Sequence, residues 1–170
     1  RASRALMSHA RVTDSKKRID FPSTNSFIRA ISSEAYTAEG LNIHGLIFDE
    51  LHAQKTRELW DALRYGGAAR RQPMILSITT AGWDTSSICY EQHEYAKKVL
   101  SGDVEDTAFF PLIYAAGKDD DPLDPKTWRK ANPSFGITIN ERDFEAAAKE
   151  ASAKPEKLNS FKRYRLNVWT

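Results

Sequence analysis

The stretch from Gly45 to His52, Gly-Leu-Ile-Phe-Asp-Glu-Leu-His, constrains the fold more than any other part of the sequence. A short run of apolar residues leads directly into two adjacent carboxylates, Asp49 and Glu50. Such a run is typical of a strand buried in a parallel sheet. Open α/β sheets bind their ligands at the carboxyl ends of the strands. The segment therefore predicts a strand that delivers two acidic side chains to a binding edge.

Two adjacent carboxylates at a strand end suit metal-assisted phosphate chemistry. Asp49 is suited to hold Mg²⁺ through the water shell of the ion, and Glu50 to take a proton from an attacking water molecule. This is the Walker B arrangement of nucleoside triphosphatases. The alternative is structural, because apolar strands also end in Asp-Glu where a helix begins.

A second apolar run, residues 73–82, reads Pro-Met-Ile-Leu-Ser-Ile-Thr-Thr-Ala-Gly and also ends in hydroxyl residues and a glycine. A hydroxyl on the strand beside Walker B can hydrogen-bond a γ-phosphate or the lytic water. Hydrolysis would then remove this hydrogen bond and allow the strand to move. The alternative is that the hydroxyls of this region cap the next helix; the candidates are Thr79, Thr80, Thr85, Ser86 and Ser87.

Four blocks together resemble the large terminase subunit of tailed bacteriophages. They are residues 40–52, the stretch from Gln72-Pro73 to Ile-Thr-Thr-Ala-Gly at 78–82, Lys-Ala-Asn-Pro-Ser-Phe-Gly at 130–136, and Arg-Leu-Asn-Val-Trp at 165–169. They lie in the family's order and cover most of the chain from about Ser32 onward. The family is the ATP-driven motor that pushes double-stranded DNA into procapsids, with a nuclease domain after the ATPase domain.

The resemblance implies an α/β fold of the P-loop NTPase (RecA/ASCE-like) type that uses ATP and Mg²⁺. It implies Asp49 as the Mg²⁺-site carboxylate, which acts through water, and Glu50 as the catalytic base. It also implies a coupling segment from Ser77 to Gly82, whose sensing residues are Ser77, Thr79, Thr80 and Gly82. Candidates for an arginine finger near the site are Arg64, Arg70 and Arg71.

The resemblance also implies partners and a location. The partners are double-stranded DNA, the small terminase subunit, the portal protein and further copies of the chain in a ring during packaging. The expected location is the cytoplasm of the bacterial host, without a membrane partner. Basic residues concentrate at both ends of the chain, with seven Lys or Arg against two Asp or Glu in residues 1–30 and six against two in residues 149–170. These ends are either DNA-facing surfaces or ordinary solvated faces.

One departure from the family pattern is the absence of Gly-x-x-x-x-Gly-Lys-Ser/Thr, the loop whose N–H groups and lysine hold phosphates. The only Gly-Lys pair, Gly117-Lys118, is followed by Asp119. We therefore expect an internal piece of a longer protein, with no ATPase activity of its own. Residues 1–117 would be the later part of an ATPase domain. Residues 118–170 would be a helical lid or linker that leads toward a nuclease domain absent from this chain.

Strand and helix patterns alternate along residues 1–117, which predicts a parallel sheet with right-handed crossovers. The resemblance places the strand at 74–79 beside a phosphate-loop strand that this chain lacks, with the strand at 107–114 beyond the gap. We expect that gap to be filled by another part of the chain, a neighbouring copy, altered pairing, or a segment outside the sequence. The predicted strands are 19–21, 27–31, 44–49, 74–79 and 107–114, and the predicted helices are 1–12, 56–65 capped by Thr56, 87–100, 124–131, 140–152 and one from Pro155.

Other classes of site find little support in the sequence. The four histidines form no His-Glu-x-x-His pair, and the single cysteine, Cys89, offers no second thiol for zinc or a disulfide. No Gly-x-Ser-x-Gly hydrolase motif is present. Two alternative functions stay open. One is a helicase-like translocase, because Asp49 to His52 also matches an Asp-Glu-x-His box; the other is a non-catalytic prophage remnant.

Overall fold

The computed structural model describes residues 3–32, 40–54 and 56–170. The chain forms two compact units, Arg1–Thr37 and Ala38–Thr170. Among the described residues, no helix has the length and apolar character needed to cross a bilayer.

The first unit is built around a three-stranded antiparallel sheet of order β1-β2-β3. The predicted strands at 19–21 and 27–31 are confirmed, but the helix predicted over residues 1–12 is wrong beyond Met7. Arg11 to Thr13 instead pair with Arg18 to Asp20, because a left-handed Lys17 (φ 47°) folds the chain back. The elements are α1 (Arg4–Met7), β1 (Arg11–Thr13), a 3₁₀-helix (Asp14–Lys16), β2 (Arg18–Phe21) and β3 (Ser26–Arg29).

The second unit contains a parallel pair of strands joined by a helix. These elements are β4 (Gly45–Asp49), a 3₁₀-helix (Leu51–Ala53), α2 (Glu58–Tyr65) and β5 (Met74–Ile78). Both predicted strands are confirmed, and they pair in parallel with Gly45 opposite Met74 and Asp49 opposite Ile78. The α/β class with a parallel sheet is therefore confirmed for β4 and β5, whereas parallel pairing is wrong for β2 and β3, which pair antiparallel.

Alternation along β4 decides how α2 packs. Leu46 and Phe48 point to the buried face, and the Phe48 ring lies 5.6 Å from that of Trp60 in α2. The cap predicted at Thr56 is wrong, since the N-cap position falls on Arg57 and no side chain caps the helix. Arg57 instead donates to Asp61 at 2.8 Å, and this ion pair holds the first turn.

The strand predicted at 107–114 is wrong, because this segment joins no sheet in the described part of the chain. Apolar residues there stay open to solvent, with Phe110 90% and Leu112 66% exposed. The segment begins in a turn at residues 107 and 108 and pairs with no strand in the described part of the chain. Within the same described part, β5 pairs with β4 alone, so nothing there fills the expected gap. Filling by a neighbouring copy or by a segment outside the sequence stays a prediction.

Helices make up the rest of the second unit: α3 (Ile88–Ser101), α4 (Pro125–Ala131), α5 (Glu141–Ala153) and α6 (Pro155–Leu166). Their starts were predictable from capping residues. Ser87, Asp124 and Asn140 each accept a hydrogen bond from a backbone N–H in the first turn.

An aromatic core binds the last three helices together. Phe144 is fully buried and meets Phe135 and Phe161 edge to face, at 5.3 and 5.5 Å between ring centres. Such pairs add to the energy of simple burial. The buried members of this core are Trp128, Ala131, Phe135, Phe144, Ala148, Ala151, Phe161 and Leu166. Helix α5 was predicted to face inward at Phe144, Ala147, Ala148 and Ala151; three of these are buried in the core and Ala147 packs against it partly buried, so the prediction is confirmed.

Candidate functional site

The carboxyl ends of β4 and β5 form one edge that carries most of the sequence-predicted site residues. Because the strands are parallel and in register at Asp49 and Ile78, the carboxylates after β4 lie beside Thr79 and Thr80. Ser77 lies within β5 opposite Phe48, one residue before the strand ends. The structure therefore brings together the two motifs that the sequence suggested should meet.

Glu50 turns the chain sharply at this edge. Its backbone is left-handed, with φ 53° and ψ 51°, an uncommon conformation for a residue other than glycine, asparagine or aspartate. Its N–H still donates to the Ile78 carbonyl at 2.8 Å, and the next residue, Leu51, is buried. The turn leaves the Glu50 side chain 57% exposed. Strained backbone of this kind concentrates at functional sites.

His52 connects the carboxylate of Glu50 to the hydroxyls that follow β5. Its Nδ1 lies 3.0 Å from Glu50 Oε2 and 3.1 Å from Thr79 Oγ1. Its backbone N–H donates to the same Thr79 oxygen at 3.0 Å, and the Thr79 hydroxyl donates to the Thr80 carbonyl at 3.0 Å. A carboxylate oxygen accepts, so a hydrogen on His52 Nδ1 points to Glu50, and the bond that reaches the Thr79 oxygen comes from the His52 backbone N–H. A continuous hydrogen-bonded path thus runs from Glu50 to Thr80.

Helix α3 is capped by Ser87 and not by Thr79 or Thr80. Ser87 caps α3 by accepting from the Tyr90 N–H at 3.3 Å. The hydroxyl of Thr79 is used by His52 instead, and that of Thr80 lies 3.4 Å from His52 Nδ1. Thr79 and Thr80 therefore face the carboxylate edge and do not cap the helix.

Cys89 is buried and packs next to this network. Its Sγ lies 3.7 Å from Thr79 Oγ1. Burial raises the pKa of the Cys89 thiol, which the charge of Glu50 raises further, while the contact with Thr79 acts in the opposite direction. A thiol held neutral in this way is a poor nucleophile.

Sequence reasoning missed two residues that hold the end of the coupling segment. Asn167 accepts from the Ala81 N–H at 2.6 Å, and the ring of Trp169 lies directly over Gly82. A Cβ placed on Gly82 would come within 2.9 Å of Trp169 Cζ3. Gly82 is therefore required for close approach. Both missed residues belong to the Leu-Asn-Val-Trp block, which was the available signal.

The three arginine-finger candidates lie at different places. Arg70 donates to the carbonyl of Asn42, which precedes β4, and Arg71 precedes β5. Both therefore lie at the amino ends of the parallel strands, opposite to Glu50. Arg64 lies on α2 near Asp106, whose pKa is lowered first by the Tyr95 hydroxyl and to a smaller extent by Arg64.

The donors at the edge fit Mg²⁺ better than a directly ligated transition metal. No group of three or more His, Cys, Asp or Glu gathers anywhere in the described ranges. Mg²⁺ usually keeps several waters and binds through one or two carboxylates together with phosphate oxygens. Asp49, at the open end of β4, suits that mode. A triphosphate would need a phosphate-binding loop, which the 170 residues do not contain.

Comparisons with known proteins agree on one family. Residues 1–98 match the model of the terminase large subunit ATPase domain, and residues 103–170 match that of the terminase large subunit endonuclease domain. The helices predicted as a lid or linker thus fall within the endonuclease-domain model.

Two relatives are much longer than this chain. Protein YmfN of Escherichia coli (strain K12) is 32% identical over 131 residues, which is 77% of this chain and 29% of YmfN. The crystal structure of the HK97 bacteriophage large terminase superposes with a TM-score of 0.84 and 24% identity, over 97% of this chain and 34% of that one. The chain spans about a third of either relative.

Proposed function

This chain belongs to the terminase large-subunit family, and from that premise we propose that it is part of the ATP-hydrolysing motor of a phage DNA-packaging terminase. We assign β4, α2 and β5 to a P-loop NTPase domain of the RecA/ASCE-like type. Its phosphate loop is supplied by residues outside the 170 of this sequence. We place the boundary between the ATPase part and the helical subdomain at residues 117 and 118, with the nuclease carboxylates outside this chain.

The roles follow from the edge where β4 and β5 end. Asp49 would hold Mg²⁺ through water, and the bound ion would neutralise phosphate charge there. Glu50 accepts the proton of the attacking water. His52 holds one oxygen of Glu50 and so limits the directions in which the carboxylate can point. The Thr79 and Thr80 hydroxyls report the state of the phosphate to the rest of the chain.

The observation that carries the proposal is the link from Glu50 through the ring and the backbone N–H of His52 to Thr79. A carboxylate that was only a helix-start residue would not need a histidine linking it to the neighbouring strand. The path gives the catalytic base and the coupling segment a direct physical connection. It equally suits a helicase-like translocase, but family membership favours the terminase.

The proposal also covers the partners and the location of the motor. The motor would act on double-stranded DNA with the small terminase subunit and the portal protein, as a ring of copies in the cytoplasm of the bacterial host. The basic ends of the chain are the surfaces that we assign to DNA, since phosphate contacts supply most affinity that is independent of sequence.

Replacement of the base tests the proposal in the full-length protein. Glu50→Gln should lower ATP turnover by about 10²–10⁴-fold, since a general base contributes about that much, while ATP binding is retained. Asp49→Asn should instead weaken Mg²⁺-dependent binding. Glu58→Gln, an exposed glutamate on α2, is the matched control and should leave both unchanged. Turnover of Glu50→Gln within a few-fold of the parent, in a folded protein, would remove Glu50 from the mechanism.

A further inference from the structure

We propose that Asn167 is a positioning residue that clamps the coupling segment to the end of α6, so that movement of the helical subdomain is felt at the phosphate-sensing hydroxyls. The inference rests on the proposed function and adds a mechanical connection to it. The three points held together are the coupling segment, the segment that ends at Tyr114, and the carboxyl end of α6.

The side-chain amide of Asn167 uses both of its groups. Its Oδ1 accepts from the Ala81 N–H at 2.6 Å, and its Nδ2 donates to the Tyr114 carbonyl at 2.9 Å. An amide side chain carries separate acceptor and donor groups, so it can accept from one backbone segment and donate to another at the same time. Ala81 and Tyr114 are far apart in sequence and belong to no common sheet, and Asn167 joins them.

The backbone of Asn167 is fixed to the helical subdomain. It takes the left-handed conformation (φ 57°, ψ 36°) directly after α6, which asparagine tolerates well. Its neighbour Leu166 is buried, and the Leu166 carbonyl accepts from the Ala116 N–H at 2.9 Å. The Val168 N–H donates back to Lys162 of α6 at 3.0 Å. A shift of α6 must therefore move the Asn167 side chain.

Trp169 supplies a second contact on the same segment. Its ring covers Gly82 and meets Tyr90 of α3 edge to face, 4.9 Å between ring centres. Ala81, whose N–H bonds Asn167, is only 3% exposed. Because Thr80 adjoins Ala81, displacement of this point moves the hydroxyls that contact His52. The clamp thus lies one residue from the sensing groups.

Asn132 provides a matched comparison. Its Nδ2 donates to the carbonyls of Trp128 and Arg165 at 2.9 and 2.8 Å, so it also joins a helix to the end of α6. Those bonds stay within the helical subdomain. Asn132 therefore shares the structural role of Asn167, but the positioning role toward the coupling segment is proposed for Asn167 only.

Two variants of Asn167 separate the effects of its two hydrogen bonds. Asn167→Gly keeps the left-handed backbone accessible and removes both bonds. Asn167→Asp keeps the acceptor for the Ala81 N–H and removes the donor to the Tyr114 carbonyl. Asn132→Ala is the control. In the full-length protein, ATP turnover and DNA translocation are measured on the same preparation, together with amide hydrogen exchange at Ala81 and thermal stability.

We expect Asn167→Gly to lower the DNA translocated per ATP by about 3- to 10-fold, the worth of a lost hydrogen bond, with ATP turnover within about twofold of the parent. Exchange at Ala81 should accelerate in Asn167→Gly and stay slow in Asn167→Asp. Asn167→Asp should keep the translocation ratio close to that of the parent, because residue 167 still accepts from the Ala81 N–H. Asn132→Ala should reduce stability and leave the ratio unchanged.

Several results would overturn the clamp. An unchanged ratio in Asn167→Gly would overturn the clamp, and an equally reduced ratio in Asn167→Asp or in Asn132→Ala would reduce Asn167 to a purely structural residue. If Glu50→Gln abolishes hydrolysis while Asn167→Gly leaves the ratio intact, the clamp fails and the proposed function stands. If Glu50→Gln still hydrolyses ATP, both fail together.

Discussion

Gly82→Ala should destabilise the second unit through Trp169. The added Cβ would lie 2.9 Å from Cζ3 and 3.3 Å from Cη2 of the indole, closer than such atoms normally approach. The backbone of Gly82 needs no left-handed conformation, so the expected penalty comes from this overlap. Overpacking of this kind typically costs about 1–3 kcal/mol. Urea unfolding of the parent and the variant gives the free-energy difference directly.

A double-mutant cycle identifies the clash as the cause. Phenylalanine at position 169 lacks the outer indole atoms that the new methyl group would meet, so Gly82→Ala should cost at least about 1 kcal/mol less in a Trp169→Phe background. Gly45→Ala is the matched control, because nothing lies within 4 Å of the added Cβ there, and it should change stability by less than about 0.5 kcal/mol. An equal penalty for Gly82→Ala in both backgrounds would refute the packing explanation.

Two further predictions concern pH and isolated activity. His93 lies against Trp169, and burial lowers the pKa of its ring. In the unfolded chain the ring has its ordinary pKa of about 6.5, so as the pH falls the unfolded chain takes up this proton before the folded one does. Stability should therefore fall as pH drops from about 7.5 to 5.5, and urea midpoints of His93→Gln should show a smaller fall; an identical pH dependence would contradict the assignment. The isolated 170 residues should show no ATP turnover in a steady-state assay, whereas robust turnover that depends on Glu50 would show that the nucleotide site is misplaced.

Local signals in the sequence predicted much of the second unit. Apolar runs located β4 and β5, and the capping residues Ser87, Asp124 and Asn140 located the starts of three helices. These features depend on neighbouring residues, which the sequence displays directly. Parallel pairing of the two strands then placed the carboxylates beside the threonines without further information.

Features that depend on distant partners were missed. The apolar pattern at 107–114 predicted a strand, but a strand requires a neighbour, and the end of this segment is held instead by Asn167. The helix expected over residues 1–12 gave way to β1, because pairing with β2 outweighs local helix preference. The sequence placed His52 in an Asp-Glu-x-His box, but its bond to Thr79 crosses from one strand end to the next and could not be predicted.

The most direct test of the account is the amount of DNA translocated per ATP hydrolysed when the sensing hydroxyls are removed. In the full-length protein, Thr79→Ala and Thr80→Ala should reduce DNA translocation more than ATP turnover, because Glu50 performs the chemistry and the hydroxyls transmit it. Thr85→Ala, at an exposed position beyond the coupling segment, should leave both rates unchanged. Equal losses of translocation and turnover in the Thr79 and Thr80 variants, or no loss in either rate, would contradict a coupling role for this edge.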